Sequence, residues 1–69
     1  MADQVMIGKT GRVTGTVKPG VIGEVMVAVR GGAEAFHAYA AEEGATITIG
    51  ATVLIVDYHP PRTVVVRVL

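Results

Sequence analysis

Cysteine and serine are both missing from this 69-residue chain. Without cysteine there is no disulfide staple, no thiolate zinc site and no thiol nucleophile. Without serine the commonest hydroxyl nucleophile is gone as well. Aromatic side chains are scarce, and Phe36, Tyr39 and Tyr58 make up the whole set. There is no surplus of either charge: six basic and six acidic residues leave a formal net charge of zero. Nucleic-acid binders usually carry a basic excess, so no nucleic acid is expected as partner. The longest apolar run, Val25 to Val29, is far short of the ~20 residues of a membrane span. Met1-Ala2-Asp3-Gln4 has neither the basic n-region nor the apolar h-region of a signal peptide. As written, the chain reads as soluble.

What remains is rich in stiff, β-branched side chains. Thirteen Val, five Ile and seven Thr make 25 of the 69 residues β-branched, a bias toward strands. A chain this short forms one domain at most, and it buries only about 60% of the surface its unfolded form exposes. Residues 1–6 read as a flexible lead and residues 7–69 as the domain. Ile7 to Val17 reads as a strand kinked by Gly8, Gly11 and Gly15, with Lys18-Pro19-Gly20 as a turn. Gly23 to Arg30 alternates, with Val25, Val27 and Val29 on one face and Glu24, Met26, Ala28 and Arg30 on the other. Gly31-Gly32 then gives a hairpin signal.

Ala33 to Gly44 supports two readings. Its alanines and glutamates suit a helix that stops at Gly44. Alternation suits a strand, with Phe36, Ala38 and Ala40 inward and His37 and Tyr39 outward. The preceding hairpin favours the strand. Thr52 to Tyr58 and Arg62 to Leu69 complete a set of five strands, with Val64, Val66 and Val68 sharing a face. The pattern predicts an all-β small barrel. Its expected core is Val13, Val17, Val25, Val27, Val29, Phe36, Ala38, Ile47, Val53, Ile55, Val64 and Val66.

The densest cluster of chemistry is "VDYHPPRTV", Val56 to Val64. It offers Asp57, Tyr58, His59 and Arg62 as acid, phenol, imidazole and guanidinium. Zinc needs three or four protein ligands, and Asp57 with His59 supplies two; His37 is the only other histidine. A Thr63–His59–Asp57 triad can be drawn, yet nothing marks Thr63 as activated. The reading that fits is a turn between two strands, held by Pro60-Pro61, with Asp57 and Arg62 close enough to pair across it. Lys9-Thr10 after Gly8 lacks the earlier glycine and the following helix of a phosphate loop. Glu24-Val25-Met26-Val27 has the look of a lipoyl attachment hairpin without the lysine that chemistry needs. No catalytic residue, metal site or cofactor is expected.

Several short motifs in order resemble one family. Ile7-Gly8-Lys9-Thr10-Gly11 resembles the opening of the soluble C-terminal domain of NfeD-like proteins. Thr14, Val17, Pro19 and Gly20 follow in the family's spacing. Gly23, Val25 and Val27 match its second strand, and Phe36 and Ala38 its aromatic-x-Ala step. Ile47, Gly50, Val53 and Ile55 match the start of its fourth strand, and Val64 and Val66 its closing strand. The resemblance runs from about Ile7 to Val68. It implies a five-stranded OB-type barrel with little or no helix between the third and fourth strands. It also implies a soluble, cytoplasmic domain of a membrane-anchored protein, the anchor lying outside this chain. The partners it implies are stomatin-, prohibitin- or flotillin-like, in the setting of membrane protease regulation. The expected function is therefore a non-enzymatic protein–protein interaction module. Met26, Tyr39, Tyr58 and Val65 are its expected outward-facing partner surface, and self-association stays open. The competing reading is an oligonucleotide-binding OB domain, which requires Tyr39 and Tyr58 on one face beside Arg30 or Arg62.

Overall fold

The computed structural model describes residues 6–69. Five strands form a closed barrel: β1 (Thr10–Gly15), β2 (Gly23–Val29), β3 (Gly32–Ala40), β4 (Thr52–His59) and β5 (Thr63–Val68). Their order around the barrel is β1-β2-β3-β5-β4, with β1 and β4 closing it. All pairings are antiparallel except β3 with β5, which is parallel. The five-stranded all-β barrel expected from the sequence is thus what the chain forms. The described residues contain no helix long and apolar enough to cross a membrane.

Alternation builds the interior. Val13, Val25, Val27, Phe36, Ala38, Val53, Ile55, Val64 and Val66 project inward and are buried, and Val17 and Ile47 join them. Every expected core residue is in this cluster except Val29, which is half-buried against it. Val68 is exposed, since it lies at the very end of β5, where the barrel no longer covers it. Met6 was assigned to the flexible lead, yet it is 8% exposed and belongs to the core. The rest of that lead, residues 1–5, lies outside the described residues. The first strand begins at Thr10 rather than Ile7, and Val17 enters the core through an isolated bridge to Ile47.

Ala33 to Tyr39 is strand, paired with β2 through Ala38. The helical propensity of its alanines yields to this pairing, because burying Phe36 and Ala38 gains more than local preference offers. The two-residue turn before it is Arg30-Gly31 rather than Gly31-Gly32, since Gly32 already pairs with Val29. The β3–β4 connection contains no helix; Ile47 crosses it and pairs with Val17 by two backbone hydrogen bonds of 3.0 and 2.8 Å. Gly23 is required by close approach. A Cβ there would lie 2.8 Å from the Gly15 carbonyl oxygen and 2.9 Å from Val17 Cα.

Candidate protein-binding face

The sharpest departure from simple alternation lies in β4. Ile55 pairs with Val66 and Asp57 with Val65, so Val56 is an extra residue in a β-bulge. Two residues of β4 therefore face one of β5. The consequence is a change of parity. Ile55 points inward, and strict alternation would send Asp57 inward and Tyr58 outward. The bulge reverses this: Asp57 is exposed, and Tyr58 is half-buried against the core. Tyr58 was expected on the outer surface, and the bulge is the physical reason it is not there.

Tyr58 instead helps to close one part of the barrel. Its ring meets Phe36 edge-on, with centroids 6.3 Å apart and planes at 81°. Its hydroxyl donates a 2.9 Å hydrogen bond to the Pro61 carbonyl. Arg62 places its guanidinium carbon 5.7 Å from the Phe36 ring centroid. The stretch Tyr58 to Arg62 thus folds over Phe36 as a cover, and Tyr58 fixes the turn through Pro61. Asp57 and Arg62 do not pair across this turn. Asp57 lies 3.5 Å from His59 Nε2, and Arg62 reaches Glu34 on β3 at 4.0 Å. These contacts are exposed, and pairs of this kind contribute little.

The register also brings Thr63 opposite His59, beside Asp57. No hydrogen bond joins the Thr63 hydroxyl to the imidazole among the described side chains. The three lie on the outward, solvated side of the sheet. No group of three His, Asp or Glu side chains converges to hold a metal among the described residues. The described core contains no buried polar or charged side chain. One open groove of about 480 Å³ runs between the β3–β4 connection and the end of β5. Alanines, Ile47, Val66 and Val68 line most of it, with Glu42 and Arg67 as its ionisable groups.

The outer face carries two neighbouring rows of different character. In the first, Glu24 pairs with His37, His37 with Thr63, and Thr63 with His59. Thr14 extends it by donating a 2.7 Å hydrogen bond to Glu24 Oε1. The second row is apolar at its centre and ends on a carboxylate. Tyr39 pairs with Val65, and Val65 faces the two bulge residues, half-buried Val56 and exposed Asp57. Ile22 stands just before β2, whose first residue, Gly23, pairs with Ala38, the chain neighbour of Tyr39. Ile22 is 55% exposed and Tyr39 46%, while Val65 and Val56 are half-buried. Of the four expected surface residues, Tyr39 and Val65 are direct neighbours. Met26 is half-buried and sits between Arg12 and Ala35 in a different row. Val56 escaped the sequence reading, because only the cross-strand register makes it a neighbour of Val65.

The two tyrosines thus occupy opposite sides of the sheet, Tyr58 inward and Tyr39 outward. A stacking platform built from both of them, as the oligonucleotide reading requires, does not form. Arg62 is engaged with Phe36 and Glu34 rather than placed beside Tyr39.

Comparison with known proteins agrees with this architecture. The sequence profile of the NfeD C-terminal domain matches residues 10–67. The soluble domain of a membrane protein implicated in regulation of membrane protease activity, from Corynebacterium glutamicum, has a similar fold. Its TM-score is 0.77 at 20% identity, covering 93% of this chain and 92% of that one. The C-terminal domain of stomatin operon partner protein 1510-C from Pyrococcus horikoshii superposes with a TM-score of 0.75. It is 28% identical over 97% of this chain and 92% of that one. Among curated proteins no sequence relative matches. Profile, strand order and barrel closure agree, and the chain belongs to the NfeD C-terminal domain family.

Proposed function

We propose that this domain is a non-catalytic docking module that binds a protein partner through the outer face of β3 and β5. The observation that carries the reading is the exposed Tyr39 paired with half-buried Val65, with Val56 beside them and Asp57 and a polar row at the rim. An apolar strip rimmed by polar residues is the form a binding surface takes. An exposed tyrosine gives it a rigid anchor with few rotatable bonds. The inward chemistry of the chain supports the same reading. Tyr58 and Arg62 are occupied in covering Phe36, and the core offers no desolvated acid or base to a substrate.

The partner class we assign is a stomatin-, prohibitin- or flotillin-type protein, and the parent chain is a membrane-anchored regulator of a membrane protease with this domain on the cytoplasmic side. Family membership supports this setting, as does the relative described as a stomatin operon partner. Calorimetric titration of this chain with the soluble part of such a protein from the same genome tests it. Binding that disappears on changing Tyr39→Ser together with Val65→Ser is the expected result. Binding untouched by that double change removes the outer row from the function, and salt-dependent binding of single-stranded DNA instead removes the docking reading.

A further inference from the structure

The barrel leaves part of one strand unpaired. Strand β3 pairs with β2 from Gly32 to Ala38. On its other edge the pairing with β5 begins only at His37. His37 donates its amide to the Arg62 carbonyl at 2.8 Å, and Ala41 donates to Val66 at 2.8 Å. Amides two residues apart in a strand point to the same edge. The amides and carbonyls of Ala33 and Ala35 therefore point to this edge too, where no described strand meets them.

Natural barrels guard such edges with lysine, proline, a bulge or a covering segment. Gly32, Ala33 and Ala35 provide none of these, and their small side chains let another backbone come close. The exposed charges around this edge are Arg30 in the hairpin turn, Glu34 on β3 and Arg62 at the start of β5. Glu34 faces Arg62 at 4.0 Å, while Arg30 has no ion-pair partner among the described residues. The edge thus combines free backbone groups with one net positive charge.

We propose that the Gly32–Phe36 edge of β3 takes up an extended, acidic peptide segment of a protein partner as an added strand. The segment's backbone pairs with Ala33 and Ala35, in the manner of β-strand addition. Its carboxylates lie toward Arg30 and Arg62. The free edge is short, about three residues before β5 begins, which suits a thin extended segment. A second folded copy would need about 800 Å² from each partner for a stable interface, far more than this edge offers. The site is separate from the outer apolar row and does not depend on it.

The test uses the whole chain and two blocked peptides, Ac-DVTVD-amide and its counterpart Ac-KVTVK-amide. Amide hydrogen exchange and NMR shifts are followed residue by residue. The acidic peptide is expected to slow exchange at Ala33 and Ala35 and to bind about tenfold more tightly than the basic one, from two weak charge contacts. Ala35→Pro removes one edge amide that the fold does not use, so it should leave the barrel intact and abolish the protection at Ala33. Tyr39→Ser should leave the peptide effect unchanged. Equal binding of the two peptides overturns the acidic assignment, and shifts confined to Tyr39 and Val65 overturn the site. Protection of Ala33 and Ala35 before any peptide is added also overturns it, because the edge would already be filled. In that case the occupant is a second copy if protection rises with protein concentration, and the chain itself if it does not.

Discussion

Tyr39 and Tyr58 lie on opposite sides of the same small sheet, and they have opposite roles. Tyr39 stands in a regular stretch of β3, where alternation alone decides that it faces solvent. Tyr58 follows a bulge, and the extra residue turns it toward Phe36. One ring is free to meet a partner, while the other holds a turn and covers the core. The difference teaches that the role of an aromatic residue in a small barrel is set by the parity of its strand. Composition and local sequence do not set it.

Removing the inward ring should break this contrast most severely. Tyr58→Ala keeps the bulge and removes only the ring. It should cost about 2–3 kcal/mol, from lost packing, the edge-on aromatic pair and the hydrogen bond to Pro61. Tyr58→Phe isolates that hydrogen bond and should cost about 1 kcal/mol in the same assay. Arg62→Ala removes an exposed cation over Phe36 and should cost about 0.5–1 kcal/mol, visible as a small drop in the urea midpoint. Tyr39→Ser lies at the other end of the scale. Its effect on stability should stay within about 0.5 kcal/mol, while partner binding is lost. If Tyr39→Ser destabilised the domain as much as Tyr58→Ala, the distinction between the two rings would fail.

The interior was legible in the sequence because alternation is a local property. Val25 and Val27, or Val64 and Val66, declare their face through their spacing alone. Val29 was misjudged only in degree, because Gly32 opposite it brings no side chain to cover it. Met6 escaped notice because it lies outside any alternating run, and its burial depends on how the chain folds back before β1. The bulge at Val56 left no mark, since a valine there looks like any other strand residue. From that single unread residue came the misplaced Tyr58. The expected Asp57–Arg62 pair failed for a different reason. Arg62 has an aromatic face and a glutamate available on β3, and neither is near it in sequence. The outer row was half legible. Tyr39 and Val65 were singled out, but their adjacency to each other and to Val56 is a matter of register between distant strands.

The parallel seam between β3 and β5 is only four residue pairs long, His37 to Ala40 against Thr63 to Val66. It joins two blocks that are each built from near neighbours in the chain: the meander β1–β2–β3 and the hairpin β4–β5. Each block assembles through short loops at small entropic cost, whereas the seam must bring together segments about twenty-five residues apart. Folding speed is governed by such distant closures more than by local pairing. The seam shares this long-range character with the β1–β4 pairing, whose partners Thr10 and Leu54 stand farther apart still. Tyr39 and Val65 come from different blocks, so neither block alone holds the outer pair, and only the assembled barrel presents it.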